Sequence, residues 1–204
     1  MVFKKKYLID FLISLILVVR NFFSLIFYPY KAMRRISLEK DFRQIYFIFL
    51  LVFIYFKFVF FLKNNSYSAT FIFFVFLFNF FLITSFFYFL AKILEYEVKF
   101  LSLIFTFSYS IFPTLIWFFS TSFFYIVLPP PRTNSFLGKS FSIFFITYSF
   151  SLLLWKMILF YLSLRFSTKQ NFYRIIYMIL IFLLWFIPYS IFLYHFKIFR
   201  IPFI

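Results

Sequence analysis

Apolar runs, almost free of charge, recur along this chain at 45–62, 71–90, 102–128, 141–164 and 175–194, with short polar stretches between them. A helix needs about 20 apolar residues to cross a bilayer core, so the pattern predicts five transmembrane helices. No strand-and-turn alternation at barrel spacing accompanies the runs. The fold class expected is therefore all-α, a polytopic transmembrane helical bundle. The third run belongs to a longer stretch, Phe100 to Pro131, with no charge between Lys99 and Arg132. That is more than a straight crossing needs, and Pro113 lies inside it as a site for a helix kink. The triple proline Pro129–Pro130–Pro131 stops the helix.

Ahead of the first span the pattern changes. MVFKKK followed by an apolar run from Tyr7 to Val19 imitates a signal peptide, but no small-residue cleavage site follows. The run continues through Arg20 and Asn21 into FFSLIFYPY. Asp10, Ser14, Asn21, Ser24 and Tyr28 share one helical face, and the remaining positions are mostly Leu, Ile, Val and Phe. One narrow polar stripe on an apolar helix predicts an amphipathic helix lying in the interface plane, its stripe toward the headgroups. A sixth transmembrane helix is the alternative, since the run is long enough. Lys31, Arg34 and Arg35 continue the polar side past Pro29 as basic residues for the membrane surface, and Ser37 is a candidate cap for a short helix. The chain thus divides into an amphipathic, basic segment, 1–43, and a five-helix transmembrane domain, 44–204.

Composition strengthens the membrane reading. Of 204 residues, 66% are hydrophobic and 45 are Phe, more apolar surface than a soluble domain of this size can hide. The net charge of +16 points to anionic lipid headgroups rather than to nucleic acid, because the basic residues are scattered between spans and not gathered on one face. There is no Cys, which excludes disulfides, thiol catalysis and thiolate metal sites. With residues 31–43 placed inside, the inner segments hold Lys31, Arg34, Arg35, Lys40, Arg43, Lys92, Lys99, Arg165, Lys169 and Arg174. The outer segments hold Lys63, Arg132, Lys139, Lys197 and Arg200. Lys4, Lys5, Lys6 and Arg20 join the inside if the first helix does not cross. The bias gives a cytoplasmic N-terminus and a C-terminus on the opposite side.

Ordinary catalytic constellations are missing from the sequence. His195 is the single histidine and sits at the end of the last span, where an interface residue is expected. Glu95 and Glu97, flanked by Lys92 and Lys99, read as a solvated surface. Gly138 stands alone, so there is no glycine-rich phosphate loop. We therefore expect no enzyme, no metal and no cofactor. The better candidates for function lie inside the spans: Lys156, Lys57 and Asn79. A lysine at the centre of a lipid-facing helix costs about 3 kcal/mol on insertion scales. Lys57 is close enough to the outer end of its span to snorkel. Lys156 is deeper and is expected to face the bundle, beside Ser149 and Ser151. Asn79 suits a hydrogen bond across to another helix. Ser102, Thr106, Tyr109 and Pro113 fall at helical spacing on the third span, and Ser142, Ser149 and Ser151 decorate the fourth. In a chain this poor in Gly and Ala they read as a packing seam or as a polar path for a solute.

The segment FLAKILEYEVKFLSLIFTFSYSIFPTLIWF, with Tyr109, Ser110 and Pro113, resembles the centre of bacterial Yip-type membrane proteins. LLLWKMILFYLSLRFST, with Trp155 and Arg165, is similar to that family's next span, and FYPYKAMRRI, with Pro29, to the proline before its first. The resemblance covers most of residues 25–195. It implies five helices, a cytosolic N-terminus and the bacterial cytoplasmic (inner) membrane. The acidic, glycine-containing N-terminal motif by which eukaryotic relatives bind small GTPases is absent, so no partner-binding residue is carried over. The function expected is that of a non-enzymatic membrane organiser or partner-binding protein. Its partners would be the lipid bilayer, anionic headgroups and another membrane protein. The alternative is a subunit of a transporter or lipid-handling permease working around Lys156.

Overall fold

A computed structural model describes residues 2–62, 67–94, 97–128 and 136–196, with backbone alone for 2–8 and Leu137. The turn at 63–66, Glu95, the triple proline with the loop that follows it to 135, and the basic tail from Lys197 lie outside the described residues. The described residues form eight α-helices and no strand: α1 Val2–Phe27, α2 Pro29–Ile36, α3 Arg43–Leu62, α4 Ala69–Ile93, α5 Phe100–Tyr109, α6 Phe112–Val127, α7 Phe136–Thr168 and α8 Phe172–His195. The protein is an all-α bundle. Six stretches, not five, are long and apolar enough to cross a membrane, the N-terminal Ile9–Phe27 being the additional one.

Local sequence explains most boundaries. Pro29 opens α2 at a position where its missing N–H is harmless. Ser37 caps the end of α2, its hydroxyl donating to the Arg34 carbonyl at 2.8 Å, and does not start the next helix. Ser68 caps α4 by accepting from the Phe71 N–H. Beyond α7 the chain turns at Lys169, whose φ of 54° is the left-handed conformation that terminates helices. The third span is not one helix: α5 ends at Tyr109 and α6 begins at Phe112. Pro113 lacks the N–H that would bond the Tyr109 carbonyl, and the ladder is interrupted just ahead of it, at Ser110–Ile111.

This interrupted span is the centre of the molecule. Its most apolar window is 67% buried, against 33% or less for the other five. Phe105 and Tyr109 join an apolar core shared with α1, α2, α3 and α7, while Leu103 and Phe107 join a second core with α4, α7 and α8. α3 stacks Tyr55 on Phe118 of α6. α7 runs antiparallel to α5 and α6, since Ser163 donates to the Thr106 carbonyl at 3.1 Å and Trp117 donates to Ser149 at 3.0 Å. Between α5 and α7, Ser102, Thr106 and Ser167 exchange hydroxyl bonds in a buried seam. Small side chains let the two backbones approach there, and their hydroxyls are satisfied inside the seam.

The N-terminal helix corrects one expectation. Its polar stripe points into the protein, not toward headgroups: Ser14 is 1% and Asn21 0% exposed. Ser14 donates to Asp41 at 2.5 Å, and Asp10 pairs with Arg43 at 3.5 Å. Asn21 donates to Gln44 at 3.3 Å and to the Tyr109 hydroxyl at 3.1 Å, and the same hydroxyl donates to Gln44 at 2.5 Å. Arg35, exposed on α2, donates to Asn21 at 2.7 Å and to Ser24. Lys31 and Arg34 are exposed on α2. The reason is the solvent: beside lipid an unpaired polar group is costly, so the stripe turns to partners in the bundle. Leu12, Ile16, Val19, Phe23 and Phe27 face outward instead.

The same contacts fix how α1 lies. Asp10 to Asn21 spans about 16 Å of helix, yet Asp10, Phe11, Ser14 and Asn21 all meet the short stretch Asp41–Phe47. α1 therefore lies across the start of α3 rather than along it. α2 folds back beneath it and packs on the end of α7, Tyr30 against Phe166 and Met33 against Ser163.

The buried cluster Asn21–Gln44–Tyr109 predicts a measurable loss when it is broken. Gln44→Leu should destabilise the protein in mild detergent by about 1–3 kcal/mol, because two buried donors lose their acceptor. Adding Tyr109→Phe to Gln44→Leu should cost less than the sum of the single losses. Additive melting shifts in a double-mutant cycle would show that these groups do not act together.

Candidate functional site

The interruption of the third span opens a cavity of ≈ 120 Å³ between α4, the α5–α6 break, α7 and α8. Four helices supply its polar positions: Asn79 and Thr84 from α4, Thr114 from α6, Lys156 from α7 and Ser190 from α8, with Ser110 at the break itself. The remaining wall is apolar, chiefly Phe76, Phe80, Phe107, Phe160 and Phe186. Two of the three intramembrane candidates from the sequence, Lys156 and Asn79, thus share one site.

Each polar group has a different state. The Thr84 and Ser110 hydroxyls donate to carbonyls of their own chain, Phe80 at 2.8 Å and Phe107 at 2.7 Å. Asn79 accepts a 2.5 Å bond from the Tyr189 hydroxyl of α8, so it does bridge two helices. That bond uses the amide oxygen and leaves the amide N–H groups without a partner among the described residues. The Thr114 hydroxyl and the Lys156 ammonium likewise have no hydrogen bond or ion pair among the described residues. Lys156 is half-buried, with Leu153 and Met157 exposed beside it on α7.

Other expected residues stand elsewhere. Lys57 is exposed on α3, its ammonium 5.5 Å from the Phe53 ring, and takes no part in the cavity. Ser149 and Ser151 do not accompany Lys156: Ser149 accepts from Trp117, and Ser151 bonds the Thr147 carbonyl. Sequence reasoning passed over Thr114 and Tyr189. Each directly follows a proline, Pro113 or Pro188. Pro188 lies inside α8 and removes the N–H that would bond the Leu184 carbonyl. A polar residue next to an intramembrane proline was the signal available.

Six apolar helical stretches of spanning length among the described residues, the third interrupted between α5 and α6, fit an integral membrane protein. Searches of family models, curated proteins and solved structures give no match to the chain.

The Asn79–Tyr189 bond links α4 to α8, and its removal is a direct test of the wall. Tyr189→Phe should lower stability by about 0.5–1.5 kcal/mol in detergent unfolding. An unchanged midpoint would mean that the bond does not hold the helices together.

Proposed function

We propose that this chain is a non-enzymatic membrane organiser of the Yip-like type, with five crossing helices and α1 held in the plane of one leaflet. The observation that supports it is the placement of α1. It lies across the start of α3, is fastened by Asn21, Gln44 and Tyr109, and turns an apolar arc outward. The exposed Lys31 and Arg34 of α2 stand beside it. An apolar arc flanked by cations suits one leaflet rich in anionic lipid. With α1 in the plane, Lys4, Lys5, Lys6 and Arg20 join the basic inner segments, which gives a cytoplasmic N-terminus and an outer C-terminus in a bacterial inner membrane. A second reading, handling of a lipid or solute around Lys156, is favoured by the cavity on that residue.

The topology is testable because the chain has no native Cys. Single cysteines at Lys5, Lys40 and Lys169 should be spared by an impermeant thiol reagent on intact cells, and one at Asn64 should be labelled. Labelling at Lys5 with Lys40 spared would mean that α1 crosses.

The organising role has its own measurement. Vesicles reconstituted with the full-length protein should become narrower as the protein-to-lipid ratio rises, because α1 adds volume to one leaflet. The double variant Ile16→Asn, Phe23→Asn should keep its melting temperature and lose the effect. Vesicle diameters indifferent to the wild-type protein would overturn the reading.

A further inference from the structure

We propose that the cavity on Lys156 binds the oxyanion head of an acidic membrane lipid, with the lipid's apolar chain running out past the exposed Leu153 and Met157. This goes beyond the organising role and does not depend on it.

The chemistry of the donors sets the sign of the ligand. Lys156, Asn79 and Thr114 come from three helices, line one cavity and offer an ammonium, amide N–H groups and a hydroxyl with no partner among the described residues. The described acids are elsewhere. Asp10 pairs with Arg43, Asp41 accepts from Ser14, Glu39 accepts from Gln44, and Glu97 precedes α5. A cation among aromatic walls with no counter-charge among the described residues is costly, and an anion held by all three donors removes that cost. The low polarity of the wall strengthens each such bond.

Size and depth set the kind of ligand. At ≈ 120 Å³ the cavity is well below the roughly 300–1,000 Å³ of sites that enclose whole drug-sized ligands. It takes a head group and leaves the chain outside. The antiparallel register of α7 with α5 and α6 puts Lys156 level with the break at Ser110–Ile111. Tyr109, directly before that break, bonds Gln44 in the first turn of α3, beside the half-exposed Arg43–Asp10 ion pair. Lys156 is nine residues, about 13 Å of helix, from Arg165 near the end of α7, and a headgroup oxyanion reaches it along the exposed face of α7.

The test uses full-length protein, stripped of lipid in mild detergent, with phosphatidylglycerol as probe and phosphatidylcholine as control. Binding is read by native mass spectrometry and by melting shift in about 0.5 M salt, where attraction to the surface cations is screened. Phosphatidylglycerol should bind and phosphatidylcholine should not. Lys156→Gln should weaken phosphatidylglycerol binding at least ten-fold, while Lys156→Arg retains it within about three-fold. Thr114→Val should weaken it several-fold and serves where Lys156→Gln does not fold. Equal binding of both lipids by the wild type would overturn the proposal, as would unchanged phosphatidylglycerol affinity in Lys156→Gln or, failing that variant, in Thr114→Val. Displacement by millimolar inorganic phosphate would also overturn it, because the site would then recognise a free anion and not a lipid.

Discussion

One absent hydrogen bond shapes much of this molecule. Pro113 has no N–H to offer the Tyr109 carbonyl, so the most buried span breaks into α5 and α6. On one side of the break the Tyr109 hydroxyl reaches Gln44 and Asn21, and α1 is fastened across the bundle. On the other side Ser110, Ile111 and Thr114 wall a cavity shared with Lys156. An unbroken helix would place side chains at 109 and 114 in regular succession on the helix surface. The interruption lets the two halves present polar groups to different neighbours. Among the described residues no fully buried side-chain nitrogen or oxygen is left unbonded, which is the condition a bundle in lipid has to meet.

The architecture was legible in the sequence to the extent that lipid imposes it. Five of the apolar runs became helices α3 to α8 with ends shifted by a few residues, because length and absence of charge are what a bilayer selects. The direction of the α1 stripe was not legible. Asp10, Ser14, Asn21 and Ser24 at helical spacing describe equally a helix with polar groups toward headgroups and one with polar groups toward a protein. Periodicity fixes the angular width of a face and not what covers it. Only the positions of Asp41, Gln44 and Tyr109, distant in sequence, decide the matter.

The same limit applies to the cavity. Depth marked Lys156 and Asn79 as unusual, and both are in its wall. Their companions could not be found by looking along α7, where Ser149 and Ser151 are nearest in sequence. Those hydroxyls answer to Trp117 and to the Thr147 carbonyl. The companions come from α4, α6 and α8, whose registers are set by ring contacts such as Phe86 on Trp185 and Phe87 on Phe182. A chain with 45 Phe and one Gly packs by interlocking rings. Ser and Thr take over where backbones need to approach, as at Ser102, Thr106 and Ser167.

The two sides of the break also stand at similar depth. Tyr109 stands directly before the break and Lys156 lines the cavity at it, one facing α1 and the other facing α4 and α8. Fastening α1 engages Asn21 with Arg35, whose guanidinium stays exposed. Lys156 has no hydrogen-bond or ion-pair partner among the described residues. Lys31, Arg34 and Lys156 are then cations of two kinds. Lys31 and Arg34 are exposed and weakened by salt, whereas Lys156 is half-buried between aromatic rings, where screening is slight. In the proposed reading, such a bundle meets the leaflet with a diffuse attraction on its surface and a directed one at Lys156.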